Sequence, residues 1–156
     1  MPSKPETRVQ ELHLTLPPVP SPVAKYKTAV RAGNMLYVSG HGPLKEDKSM
    51  IMGKVGKDLT LEQGKAAARQ VGLAILSTVK ASLGSLDKVT RLVKTLALVN
   101  CTDDFKDQPQ VINGFSELMA DVFGEDAGVG ARSALGTNSL PSNIAVEIEC
   151  IFEVAG

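Results

Sequence analysis

The run from Val89 to Val99 is apolar on both faces that an extended strand presents, with Leu92, Leu96 and Leu98 on one and Val93, Ala97 and Val99 on the other. A strand of that kind has to be covered on both sides. Only two segments of the chain have the period of a long helix. In the first, Thr60 and Gln63 form a capping box, Leu61, Ala67, Val71, Ala74, Ile75 and Val79 recur at three- and four-residue steps, and Gly84 supplies the stop. In the second, Pro109 suits a first helical turn, Val111, Phe115, Leu118, Met119 and Val122 make one stripe, and Gly124 ends it.

The remaining patterns are strands. Residues Thr28 to Ser39 alternate around Gly33-Asn34 and predict an antiparallel hairpin. From Ala145 to Val154, Val146, Ile148, Cys150, Phe152 and Val154 share one face, while Glu147, Glu149 and Glu153 share the other. The predicted order is β-β-α-β-α-β-β, an α+β two-layer sandwich of one mixed sheet with two helices on one face. Two helices leave the opposite sheet face bare, and Val93, Ala97 and Val99 are expected there as an apolar patch that another copy of the chain covers. Residues 1–21, with four of the nine prolines between Pro17 and Pro22, are expected to form an extended arm ahead of a single domain spanning 22–156. Residues 43–57 have no sustained period and read as a loop, with or without a short strand, whose length suggests an exposed flap.

Composition removes several function classes. Seventeen basic residues balance seventeen acidic ones, so no net field draws the chain to nucleic acid or to an anionic membrane. Cys101 and Cys150 fit no zinc motif and read as free thiols. No apolar run is long enough to span a membrane, and residues 1–20 lack a signal peptide's apolar core, so a cytosolic location is expected, with an organelle left open.

Chemistry-bearing residues are few. Arg132, in the small-residue stretch Gly130-Ala131-Arg132-Ser133-Ala134, presents a planar guanidinium that grips a carboxylate with two parallel hydrogen bonds, or else pairs with a surface glutamate. Glu147, Glu149 and Glu153 are either ordinary solvated carboxylates or include one whose desolvation makes it a general base. Tyr26 and Ser39 flank the hairpin as donors to an anionic ligand or as turn caps. His13 and His41 read as structural or merely polar, and neither cysteine has an activating partner. The glycine-rich 124–130 stretch lacks the lysine and the setting of a phosphate loop.

Together, Gly33-Asn34-Met35-Leu36-Tyr37-Val38-Ser39-Gly40, the helix ending in Leu83-Gly84-Ser85-Leu86-Asp87-Lys88-Val89, and above all GARSALGTNSLPSNIAVEIE at 130–149 resemble the RidA/YjgF/YER057c/UK114 family over about Pro22 to Val154. The resemblance implies a chorismate-mutase-like fold assembled as a homotrimer with three clefts between neighbouring subunits. It implies hydrolytic deamination of reactive 2-imino or 2-enamino acids to 2-oxo acids and ammonia, without metal or organic cofactor. Arg132 then matches the position that binds the substrate carboxylate, Glu147 the glutamate that orients or activates water, and Tyr26 and Ser39 the residues that shape the ligand site. Ala134 stands where many members carry a cysteine, and the 124–130 and Gly136-Thr137-Asn138 stretches also differ. A noncatalytic module binding small carboxylates on the same fold is the alternative expectation, and ribonuclease activity, also attached to the family, has little support in the neutral charge.

Overall fold

The computed structural model describes residues 2–156. Gly33-Asn34 makes the two-residue turn between β1 (Ala29–Ala32) and β2 (Met35–His41), and only Gly33 of the pair takes a positive φ, +62°, as a type II′ turn requires. β2 pairs antiparallel with the last strand, β5 (Val146–Val154), which pairs antiparallel with β3 (Val89–Asn100). β4 (Ala131–Thr137) runs parallel to β3 at the edge, giving the order β1-β2-β5-β3-β4.

The two long helices form as their end signals predict. α2 (Leu61–Leu83) opens on a complete capping box, with Thr60 Oγ1 accepting from Gln63 N and Gln63 Oε1 accepting from Thr60 N. It closes on left-handed Gly84. α3 (Gln108–Phe123) begins with Pro109 in its first turn and ends at Gly124, after which a single turn, α4 (Glu125–Gly128), leads into β4. Val71, Ile75 and Leu76 of α2 and Phe115, Leu118 and Met119 of α3 are fully buried, in one core with Leu36, Ile148 and Phe152 of the sheet. Burying such a side chain stabilises by about 1.5–3 kcal/mol relative to leaving it exposed.

The helices approach each other closely because Gly114 has no side chain: a Cβ there would lie 2.0 Å from the Lys65 carbonyl oxygen. Backbone cannot yield as a flexible side chain can. Gly114→Ala is therefore expected to force α2 and α3 apart and to cost about 1–3 kcal/mol or more, which urea unfolding monitored by circular dichroism will show as a lower midpoint.

Three expectations are corrected. A bulge between Leu92 and Lys94 switches the alternation of β3, so Leu92, Thr95, Ala97 and Val99 all lie under the helices. Ala97 and Val99 are fully buried there, Val93 is half-buried at the bulge, and the bare face is carried instead by Leu96 and Leu98, with Leu135 of β4 beside Leu98. The arm is not extended throughout: Pro5–Glu11 forms a helix, α1, which packs against α3. Its Val9 is buried, and the Glu6 carboxylate accepts from Leu86 N, Ser85 Oγ and Lys80 Nζ. The proline-rich remainder does run extended, fixed where Ser77 Oγ donates to Pro17 O at 2.7 Å. Residues 43–57 are not a free flap either. They are pinned by bridges from Leu44 to Met50, Met52 to Ile144, and Val55 to Leu59 and Cys101, with Val55 fully buried.

Candidate functional site

Glu147 is the second residue of β5, and the strand's alternation turns it away from the helices. The three glutamates of this face have different surroundings. Glu153 accepts hydrogen bonds from Thr90 Oγ1 at 3.1 Å and Asn34 Nδ2 at 3.4 Å, Glu149 is exposed, and Glu147 is half-buried. Glu147 lines a cavity of about 190 Å³ with Tyr26, Met50, Leu44, Ile144 and Ser142. Desolvation in this mostly apolar lining, with a smaller contribution from the charge of Glu149, raises the Glu147 pKa above its ordinary value of 4.5.

Gly40 is part of the same construction, since a Cβ there would come within 3.1 Å of Glu147 Cδ. The Ser-Gly step at the end of β2 thus leaves room for the carboxylate. Ser39 acts beside the cavity and not in its lining: its hydroxyl donates to Lys27 O at 2.6 Å, and its N–H donates to Thr28 O. It fastens the segment that carries Tyr26.

His41 is structural, as the sequence suggests. Its Nδ1 meets Ser39 O and its Nε2 meets Thr78 Oγ1 at 2.8 Å, an arrangement satisfied when Nδ1–H donates to the carbonyl and Nε2 accepts from the hydroxyl. Burial lowers its pKa and keeps it neutral. Its contribution to stability is present above about pH 6.5 and is lost as the pH falls through the depressed folded-state value. Both cysteines are free and buried, and burial pushes the Cys150 thiol far up, leaving it inert. Among the described residues no group of His, Cys, Asp and Glu is arranged to hold a metal, and no helix is long and apolar enough to cross a membrane.

Arg132 lies elsewhere. It belongs to the edge strand β4, not to a loop, and pairs in register with Thr95, which in turn pairs with Cys150. It is therefore two strands across and three residues along from Glu147, and its side chain turns to α3, where Nη1 donates to Ser116 Oγ at 3.0 Å and Nη2 to Pro109 O at 3.4 Å. Both acceptors are neutral. The guanidinium is in no ion pair among the described residues, so the surface arginine–glutamate pair is not formed and its charge is available. The structure thus brings Tyr26, Gly40 and Glu147 together, with Ser39 behind them, and places Arg132 on a separate edge.

The cavity also has walls that sequence reasoning missed. Pro20 and Ser21 come from the arm, Leu44 and Met50 from the 43–57 segment, and Ser142 from the turn before β5. Gly42 was the readable signal for the second wall: a Cβ there would meet Ile144 Cδ1 at 3.0 Å and Met50 Sδ at 3.2 Å.

Fold and site define the class: an α+β sandwich with a bare apolar sheet face, a desolvated glutamate in a cavity and an uncompensated arginine on an edge strand. The chain belongs to the endoribonuclease L-PSP family, the RidA/YjgF group, whose family model matches residues 18–154. It is 39% identical over 146 residues to protein TCP17 of Trypanosoma cruzi, covering 94% of this chain and 91% of that one. It is 29% identical over 142 residues to a 2-iminobutanoate/2-iminopropanoate deaminase of Dermatophagoides farinae, covering 90% and 94%. The crystal structure of the Agrobacterium tumefaciens protein Atu1372 superposes with a TM-score of 0.88 at 41% identity, over 96% of this chain and 92% of that one.

A pH prediction follows from the surroundings of Glu147. A base with a raised pKa is active only once deprotonated, so activity at this cavity is expected to rise with pH through a limb above the ordinary carboxylate value of 4.5. Glu149→Gln removes the like charge and should move that limb to lower pH. Profiles of kcat/KM against pH for the parent, Glu149→Gln and Glu147→Gln check this, and a limb that persists in Glu147→Gln would show that Glu147 is not the titrating base.

Proposed function

We propose that the protein is a hydrolase of reactive 2-imino and 2-enamino acids, working as a homotrimer whose clefts join Arg132 of one subunit to the Glu147 cavity of the next. The observation that carries this reading is the half-buried Glu147 with its raised pKa, facing a cavity together with Tyr26. Three further features support it. Arg132 is charged and unpaired but cannot reach Glu147 within one chain. The bare face of Leu96, Leu98 and Leu135 needs a covering partner, and a second copy is the partner that would also bring an arginine. The mite relative carries a deaminase name and aligns over nearly the whole chain.

In the proposed reaction Arg132 holds the substrate carboxylate through two parallel hydrogen bonds and fixes the imine carbon over Glu147. A water bound by Glu147 adds through its oxygen to that carbon. Glu147 takes the water's proton and passes it to the imine nitrogen, which becomes an amine, so the carboxylate is restored. The hydroxyl of the resulting carbinolamine then forms the carbonyl as the carbon–nitrogen bond breaks, its proton leaving with ammonia and a 2-oxo acid remaining. Imines hydrolyse unaided in water, so positioning and modest base catalysis are sufficient, and the chemistry requires no activated nucleophile. Ala134 stands in place of a cysteine, and hydrolysis by water needs no thiol.

The family description names an endoribonuclease. The balanced charge favours the small-molecule reading.

The test couples the purified protein to threonine dehydratase and threonine in the presence of semicarbazide. A catalyst will compete with the trap, slowing the initial formation of semicarbazone and raising free 2-oxobutanoate, while ammonia, released by either route, is unchanged. Trapping unchanged at any protein concentration would leave only the reading of a noncatalytic module that binds small carboxylates.

A further inference from the structure

Asn100, the last residue of β3, is completely buried, and every polar group it has is used. Its N–H donates to Ala145 O at 2.9 Å, and its carbonyl accepts from Val55 N at 2.8 Å. Its side-chain Oδ1 accepts from Lys54 Nζ at 3.1 Å, while Nδ2 donates to Asn143 Oδ1 at 3.0 Å and to Ile144 O at 3.1 Å. One side chain therefore ties the 43–57 segment to the turn before β5. Around it, Lys54 Nζ also donates to Asn138 O, Gly53 N donates to Asn143 O at 2.8 Å, and Ala145 N donates to Ile51 O at 3.1 Å.

The turn so fixed is strained. Ser142 and Asn143 are consecutive non-glycine residues with positive φ, +55° and +57°. Asparagine tolerates that region, but serine is disfavoured there, and such a conformation persists only where the surroundings impose it. Ser142 is also the member of the pair that lines the Glu147 cavity. Met50, which also lines the cavity, belongs to the other segment that the bracket holds.

We infer that the Asn100 bracket exists to hold Ser142 in its left-handed conformation at the cavity rim, which makes Ser142 a substrate-contacting residue and Asn100 the positioning residue behind it. Fold stability alone does not call for serine: glycine at 142 would relieve the strain, and the position is exposed. A buried amide satisfied on both sides, spent on keeping an exposed turn in a disfavoured conformation, is intelligible if the turn serves the cavity. The inference rests on the cavity being the substrate site.

The experiment compares the parent with Ser142→Gly and Asn100→Asp. Glycine fits the positive φ without strain, so Ser142→Gly is expected to unfold at the same temperature as the parent or higher, while kcat/KM for imine hydrolysis falls on the order of tenfold through a misplaced or missing contact. Asn100→Asp still accepts from Lys54 but, in place of Nδ2, turns its second carboxylate oxygen to the acceptors Asn143 Oδ1 and Ile144 O, so the turn should loosen. It should reproduce the kinetic loss of Ser142→Gly, and combining the two should add little to either. Parental kcat and KM in Ser142→Gly would overturn the inference, as would a kinetic loss matched by a lower melting temperature. If the parent itself does not accelerate imine hydrolysis, the deaminase reading fails separately. The inference is then read from binding of 2-oxobutanoate by calorimetry, where equal affinity in the parent and Ser142→Gly overturns it.

Discussion

Arg132→Ala is expected to lower kcat/KM for imine hydrolysis by about thirtyfold to several thousandfold, the equivalent of about 2–5 kcal/mol of transition-state stabilisation. The range belongs to a charge-assisted contact made in a desolvated cleft, not to an exposed arginine in water. In the isolated chain the guanidinium is exposed and bonds only to Ser116 and Pro109 O, so its loss removes little from the fold. Unfolding midpoints near the parent's should therefore accompany the kinetic loss. Arg132→Lys keeps the charge but not the planar fork, and should recover only part of the rate. Glu147→Gln should differ in kind, retaining affinity for 2-oxobutanoate while slowing turnover. An Arg132→Ala protein as fast as the parent below saturation would remove the carboxylate anchor from the mechanism.

The second large effect concerns assembly. Leu135 is 51% exposed in the single chain, beside Leu98 on the bare face. At an exposed position of a monomer, Leu135→Asp would be nearly neutral, within about 0.5 kcal/mol. At a position covered by a neighbouring subunit the same carboxylate must be desolvated without a partner, which costs several kcal/mol. Light scattering is expected to give a trimer mass for the parent and a monomer mass for Leu135→Asp at micromolar concentration, with helical circular dichroism preserved in both. A parent that runs as a monomer contradicts the assembly outright. Deaminase activity should disappear with the trimer, since within one chain Arg132 and Glu147 lie at separate places on the sheet.

Element by element, what could be read from the residues was whatever is decided locally. The capping box of α2, the Gly33 turn and the alternation of β5 each depend on neighbours within a few positions, and all are found where the sequence places them. The facing of β3 was not legible, because one bulge at Leu92–Lys94 reverses the alternation beyond it and no residue type marks a bulge in an apolar run. The 43–57 segment looked like a flap since its restraints are distant in sequence: Cys101 for Val55, Ile144 for Met52 and Asn100 for Lys54. In the arm, the prolines at 17–22 masked the short helix before them, whose anchor is the Glu6 carboxylate on the turn that follows α2.

The candidate site divides in the same way. Glu147, Tyr26 and Ser39 were identified by family resemblance and do gather around one cavity, although Ser39 acts through Lys27 O and not by facing the ligand. The same resemblance marked Arg132 but could not show that it turns to α3 on a different edge. That separation is the most informative feature of the single chain, for it means the proposed mechanism stands or falls with a contact between subunits.

Mixing the two impaired variants tests that claim most directly. Arg132→Ala and Glu147→Gln subunits, unfolded together in equal amounts and refolded, will form trimers in which some clefts draw Arg132 from one variant and Glu147 from the other. Random assembly of a cyclic trimer makes roughly a quarter of all clefts complete. The mixture is expected to regain roughly a quarter of the parental activity, while each variant refolded alone keeps only its own low rate. A mixture no more active than its components would contradict a site built across the subunit boundary.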